Sequence, residues 1–189
     1  MANYKVECIN KDKFFEGLNS NNIPFVKMAV DIINSHEENK QSDLKEIENR
    51  FLNDSYTAFA DSKDACAFVL LRDEKPISFA LFENVDFDGD VIDTSMVWTR
   101  DGAEGQGYGR SLIRYALSYY ANNTNCKTCR AIINNKNEKS IRLHKYFENQ
   151  YGAKIFLSGG KVICELDIDK FKDVKDFEIV ESDSFTLSA

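Results

Sequence analysis

Apolar residues recur along the 189-residue chain at two different periods, and the switches between them mark out the elements. Tyr4 to Ile9 alternates weakly, as a first strand would. Phe25, Met28, Ala29, Ile32 and Ile33 then fall at i, i+3, i+4, i+7 and i+8, the spacing of one helix face. A second helix is predicted through Leu44, Ile47 and Phe51, with Ser42 as its N-cap and Lys45 and Glu46 behind it. After Asp61 the period changes. Cys66 to Leu71 is a continuous apolar run, Arg72 to Pro76 is a turn, and Ile77, Phe79 and Leu81 alternate with Ser78 and Ala80. Asp88-Gly89 is a tight-turn dipeptide, and Val91 to Thr99 reads as the next strand, which completes three consecutive antiparallel strands.

A glycine-rich stretch, Gly102 to Gly109, leads into a helix whose apolar face carries Leu112, Ile113, Ala116, Leu117 and Tyr120 and which ends at Asn122 to Asn125. Arg130 to Asn134 is a short strand, and Asn137 caps a helix that buries Ile141, Leu143 and Phe147. Ala153 to Leu157 and Lys161 to Ile168 are strands joined by Ser158-Gly159-Gly160. The order is strand, helices, three strands, helix, strand, helix, two strands. That is a mixed α/β domain over residues 1–168, followed over 169–189 by an edge segment (Phe177 to Val180) and an acidic tail.

Composition narrows the partners. The net charge of −7 argues against a general affinity for nucleic acid or anionic membranes, and no apolar run approaches the about 20 residues that span a bilayer. Five cysteines, odd in number, do not form a disulfide framework, and the start of the chain lacks the apolar core of a signal peptide. Both point to a reducing compartment, the cytoplasm or nucleus. Cys126-Lys127-Thr128-Cys129 is a single CxxC, so a zinc site would need outside ligands, and it reads instead as the start of a strand. Glu83, Asp86, Asp88, Asp90 and Asp93 gather charge on one hairpin, as a solvated turn or as an attractor for a cationic acceptor. The hairpin is no EF-hand, since Val97 stands at the twelfth position.

The chemistry concentrates in Glu104-Gly105-Gln106-Gly107-Tyr108-Gly109-Arg110-Ser111, which follows a strand and opens a helix. Glycines there let the backbone approach a ligand closely, and the free N–H groups at a helix start form an anion site suited to a pyrophosphate. The spacing is neither that of a Rossmann loop nor that of a Walker loop. A purely structural glycine turn is the alternative.

Here the sequence resembles the GNAT superfamily of N-acetyltransferases. Gly107 and Gly109 occupy the small-residue places of that family's Gln/Arg-x-x-Gly-x-Gly/Ala loop, with Glu104 where the family prefers Gln or Arg. Asn137 to His144 resembles its Asn-x-x-Ala/Ser-x-x-Leu-Tyr/His helix, and Phe147 to Lys154 resembles its Gly-Phe segment, with Ala153 in place of Phe. The likeness covers roughly Val91 to Ile168. It implies a mostly antiparallel sheet splayed around acetyl-CoA as co-substrate, with direct transfer to an amine on a small molecule or protein, in a monomer or homodimer. It further implies coenzyme contacts from Glu104 to Ser111 and from Asn137 and Ser140, with Val97, Trp98 and Thr99 offering a main-chain N–H to the developing oxyanion. A carboxylate at 104 repels a diphosphate, so backbone N–H groups, helped by Arg110, are expected to supply the binding.

An alkylamine with a pKa of about 10.4 is protonated at neutrality and must lose a proton before it attacks a thioester. Asp93, mid-strand where histone-acetylating relatives place a glutamate, is the candidate base acting through a water. The bland alternative is a solvated strand residue. His144 stands where the family usually has its tyrosine acid, and Tyr146 is the nearby alternative, on a different helix face. A structural histidine is the competing reading. At the level of function, a non-catalytic acyl-CoA-binding or interaction module is the runner-up, and a nucleotide-binding protein lacks its fingerprints.

Overall fold

The continuous apolar run from Cys66 to Leu71 has a simple cause: it is a strand covered on both faces. In the computed structural model, which describes residues 2–20, 22–36, 43–84, 89–174 and 177, this strand is β2 (Cys66–Arg72). It pairs with β1 (Tyr4–Asn10) on one side and β3 (Lys75–Glu83) on the other, both antiparallel. The remaining strands are β4 (Val91–Thr99), β5 (Thr128–Asn134), β6 (Lys154–Ser158) and β7 (Lys161–Asp167). They form one seven-stranded sheet in the order β1-β2-β3-β4-β5-β7-β6, antiparallel except at the parallel β4–β5 step.

Alternation along β2 sorts its side chains into two cores. Cys66, Phe68 and Leu70 join Leu112, Ile113, Ala116, Leu117 and Tyr120 of α4 (Tyr108–Asn123), all essentially buried. Ala67, Val69 and Leu71 face Phe25, Ala29 and Ile32 of α2 (Pro24–Asn34) and Phe51 and Phe59 of α3 (Leu44–Asp61). Each such Leu, Ile or Phe contributes about 1.5–3 kcal/mol by leaving water. The mixed α/β order expected from the sequence is the order found.

Several local details differ. Lys11–Asn19 forms an additional helix, α1, capped by Asn10, whose side chain accepts from the Lys13 N–H at 3.1 Å. Its apolar face is short, Phe14, Phe15 and Leu18, so the helical period barely registers. Asp43 caps α3 by accepting from the Lys45 N–H; Ser42, the predicted cap, lies outside the described residues. So do Asp86 to Asp88 of the acidic hairpin, residues 178–180 of the predicted edge segment, and the tail. β7 stops at Asp167, and Ile168–Phe171 closes into a short 3-10 turn. Among the described residues no helix is long and apolar enough to cross a membrane.

Two backbone features position the site. β4 and β5 pair only through Val91–Thr128, Ile92–Cys129 and Asp93–Arg130. Just beyond, the β3 register shifts so that Phe82 faces Thr94 and Leu81 faces Met96, leaving Ser95 as an extra residue on β4. A bulge of this kind bends its strand. β4 therefore leaves β5, and a wedge opens in the middle of the sheet. At the far end of β4, Gly107 adopts φ 83°, the left-handed turn from which α4 starts.

Candidate active site

The wedge is a cleft of about 810 Å³, within the usual size of a small-molecule site. One wall is Thr94 to Thr99 of β4, and the other is Ala131 to Asn134 of β5. The glycine loop and the start of α4 border it as well, and beside them α5 (Glu138–Tyr151) and its cap contribute Asn137, Ser140, Leu143 and His144. Beyond Asp93, no strand among the described residues pairs with β4 on the wedge side. Val97, Trp98 and Thr99 lie on this wall.

The loop divides by role. Glu104, Gly105, Gly107, Gly109 and Arg110 line the cleft. A Cβ at Gly109 would lie in ordinary contact with Thr99 Oγ1 at 3.4 Å and Val97 Cγ1 at 3.8 Å, so the start of α4 sits directly against the β4 wall. Tyr108 also borders the cleft, but its phenol turns inward, 3.3 Å from the Tyr4 hydroxyl and 3.3 Å from Arg72 Nη1. Gln106 and Ser111 do not line it. Gln106 Nε2 donates to the Gly102 carbonyl at 3.4 Å, and Ser111 donates both N–H and hydroxyl to the Gly107 carbonyl. Ser111 thus fixes the first turn of the helix.

The expected repulsion at Glu104 has a local answer. Its carboxylate accepts from Lys139 Nζ at 2.8 Å, and its other oxygen lies 4.0 Å from His36 Nδ1. His36 Nε2 hydrogen-bonds the Thr99 carbonyl at 2.8 Å, so that nitrogen carries the proton, and the ring stands edge-on to Trp98 at 5.2 Å. Sequence reasoning missed both partners. Lys139 sits inside the quoted Asn-x-x-Ser segment, and its charge beside Glu104 was the available signal. His36 arrives from the end of α2 with no local signal at all.

Arg110 folds its guanidinium over the Tyr146 ring, 5.0 Å from the centroid. Its Nη1 is buried and has no hydrogen-bond partner among the described residues. A buried guanidinium N–H without an acceptor costs about 1–3 kcal/mol, so a phosphate or carbonyl oxygen brought to it would be favoured.

The three candidate acid–base residues part company. Asp93 is 6% exposed, does not line the cleft, and is held by Arg130 through Nε to Oδ1 at 2.7 Å and Nη2 to Oδ2 at 3.0 Å. Tyr146 stays outside the cleft as the platform for Arg110, and burial, reinforced by Tyr151, pushes its phenol up to about 12. His144 lies in the cleft wall. Its Nδ1 hydrogen-bonds the Ser140 carbonyl at 2.8 Å, which places the proton on Nδ1 and leaves the Nε2 lone pair bare. Burial holds its pKa below the ordinary histidine value, with the Ser140 carbonyl opposing only in part. Asn137 caps α5 by accepting from the Ser140 N–H at 3.0 Å and so sets the turn that carries His144. The CxxC cysteines point elsewhere: Cys129 Sγ lies 3.3 Å from Thr94 Oγ1, and Cys126 Sγ lies 3.6 Å from the Gly89 carbonyl.

A glycine loop on a helix start, opening into a split between β4 and β5, is an arrangement that known proteins share. The pattern of the acetyltransferase (GNAT) family matches residues 31–148, more than half of the chain. The chain belongs to that family. It is an acetyltransferase enzyme with acetyl-CoA as co-substrate. Among solved structures, PaiA N-acetyltransferase from Thermoplasma acidophilum in complex with coenzyme A is 16% identical, with 87% of this chain and 99% of that one covered at a TM-score of 0.57. A spermidine N-acetyltransferase variant from Vibrio cholerae is 13% identical over 92% and 98% of the two chains, with a TM-score of 0.59. YncA of Salmonella typhimurium, a putative acetyltransferase with acetyl-CoA, is 17% identical over 88% and 94%, with a TM-score of 0.54. No curated protein sequence matches the chain.

The residues of this GNAT domain fit the co-substrate. Gly107, Arg110 and His144 line one cleft, and Arg110 carries there a buried guanidinium N–H that no described residue accepts, as a phosphate oxygen would.

Proposed function

We propose that the protein transfers an acetyl group directly from acetyl-CoA to a primary amine while both are bound. The observation that carries this reading is the continuity of the cleft from the Gly107 turn, between the parted strands, to the bare Nε2 of His144. When bound, acetyl-CoA supplies an electrophilic thioester carbonyl.

The residues of the chain then have separable tasks. Main-chain N–H groups of Gly107 to Arg110 and the positive end of α4 hold the diphosphate. An N–H of β4 near Val97 to Thr99, unpaired because the strands part, donates to the oxygen on which charge develops. His144 is the proton acceptor. It is neutral at pH 7, and its Nδ1–H is fixed on Ser140, so Nε2 takes the proton lost by the attacking amine and can return it to the departing sulfur. Asp93 serves as a scaffold. A carboxylate committed to two guanidinium bonds, outside the cleft, is badly placed to take a proton from substrate.

The acceptor approaches over the exposed side of the β5–β7–β6 part of the sheet. There Ile132, Ile163 and Phe156 lie directly opposite one another across β5, β7 and β6, with Ile132 57% and Phe156 44% exposed. Ile132 also borders the cleft, so the strip suits an amine attached to an apolar body.

The test is turnover across a panel of amines, both small and peptide-borne, followed as release of free CoA thiol. Acetylation that depends on His144 supports the reading. Saturable acetyl-CoA binding without turnover on any amine would favour the non-catalytic binding module.

A further inference from the structure

Away from the cleft, β1 and β2 bring two sulfurs together. Cys8 Sγ and Cys66 Sγ are 3.0 Å apart, about 1 Å beyond a disulfide bond. The register explains the approach. Cys8 faces Phe68 and Asn10 faces Cys66, so the two cysteines sit diagonally, two residues offset on the same face of the strand pair. They differ in access. Cys8 is half-buried, and Cys66 is buried at 1% exposure. Lys13 closes over the outer one, its Nζ donating to the Cys8 carbonyl at 3.1 Å.

The geometry points to an oxidisable thiol pair, in which Cys8 reacts with a hydroperoxide and Cys66 resolves the product into a Cys8–Cys66 disulfide. In the first step the Cys8 thiolate attacks the peroxide. An S–O bond forms, the O–O bond breaks, the sulfur is oxidised to sulfenic acid, and the peroxide is reduced to an alcohol or water. In the second step Cys66 sulfur displaces that oxygen. The S–S bond forms, the Cys66 proton leaves with the hydroxyl as water, and two thiols have given up two electrons.

The division of labour follows the surroundings. The Cys66 hydrogen bond, then the Lys13 ammonium and the Tyr119 hydroxyl, hold Cys8 below the usual thiol range against an opposing push from its burial. Burial pushes Cys66 well above that range, so it keeps the proton that the second step expels. The other three cysteines are buried, and burial raises each of them, Cys129 and Cys164 to about 12. The reactive thiol is thus singled out by place as well as by chemistry.

The experiment exposes the folded protein to hydrogen peroxide, quenches, and counts thiols in denaturant. The expected result is a fall from five to three, two being consumed, with peptide mapping that finds Cys8 joined to Cys66 and a dithiol restoring all five. Cys66→Ser should leave Cys8 as a sulfenic acid trapped by dimedone, and Cys8→Ser should retain its four thiols. The inference is overturned if all five thiols of the natural sequence survive, if the lost pair maps to Cys126, Cys129 or Cys164, or if Cys8 oxidises further without joining Cys66. The natural chain alone decides among these outcomes, so a variant that fails to fold does not blunt the test.

Discussion

Arg130 grips Asp93 through two parallel hydrogen bonds, at 2.7 and 3.0 Å, on the last rung at which β4 and β5 still pair. The next residue on each strand already belongs to the cleft wall. The ion pair therefore clamps the apex of the wedge, and the Ser95 bulge bends β4 away from it.

Asp93→Ala leaves the Arg130 guanidinium, whose side chain is only 23% exposed, without its carboxylate. Removing one partner of a largely buried pair should cost about 2–4 kcal/mol of stability, read as a lower midpoint in denaturant unfolding. Replacing both residues, Asp93→Leu with Arg130→Met, should recover part of that loss. The pH profile of turnover per folded molecule should not move. A fall in turnover of about 100-fold at unchanged stability would instead return Asp93 to the role of base.

His144→Gln keeps a polar side chain in the same helix turn but removes the titrating nitrogen. Turnover at saturating substrates should fall about 100-fold or more, while acetyl-CoA affinity changes little. In the natural protein, the acid limb of kcat/KM should lie below 6.5, since burial disfavours the charged ring. The effect on stability has a definite sign. With the folded pKa below the unfolded one, the unfolded chain binds more protons, so stability is full above 6.5 and falls as pH drops toward the folded value. His144→Gln should flatten that slope. An acid limb that survives the substitution would assign the titration to another group.

Gly107 was legible in the sequence as a loop glycine, and its left-handed φ of 83° makes the reason physical. Gly107→Ala should cost about 1–2 kcal/mol of stability from the strained backbone alone. It should also weaken acetyl-CoA binding, because the N–H groups that start α4 lose their aim. Unchanged calorimetric affinity would mean that the diphosphate does not use this turn.

What the sequence made legible was periodic or local. The run from Cys66 to Leu71, the alternation in β7 and the Asn137 cap each announce themselves within a few residues, and the strand–helix order follows. What it hid depends on the third dimension. The Ser95 bulge changes the register without changing the alternation enough to notice, so the splay was expected from the family resemblance alone, and the place of Asp93 at its apex had no signal. Its mid-strand position and the family resemblance suggested a base or a solvated strand residue, and neither reading contains the Arg130 clamp. His36 reaches Thr99 and Glu104 across 63 and 68 residues of chain, beyond any pattern. The different helix faces of Tyr146 and His144 were legible, but not that the one would meet Arg110 and the other the cleft.

Glu104 offers the sharpest test of the proposed coenzyme site, because its carboxylate lines the cleft within the glycine loop. Its partner Lys139 has a side chain 70% exposed, and such pairs add only about 0–1 kcal/mol to stability. Breaking the pair should therefore barely move the melting temperature, and its effect should appear in binding. Glu104→Gln removes the negative charge that faces the diphosphate, so acetyl-CoA should bind about 3- to 10-fold more tightly, most clearly at low salt. Lys139→Ala does the reverse, exposing the carboxylate to the diphosphate, and should weaken binding by about 10-fold. If the two act on one another, the double variant should bind close to Glu104→Gln alone, because the loss from Lys139→Ala comes chiefly from the uncovered carboxylate. Titration calorimetry on the four proteins closes the cycle. Strictly additive effects would mean that Glu104 and Lys139 meet the coenzyme separately, and an unchanged affinity in Glu104→Gln would mean that the diphosphate lies beyond the reach of this carboxylate.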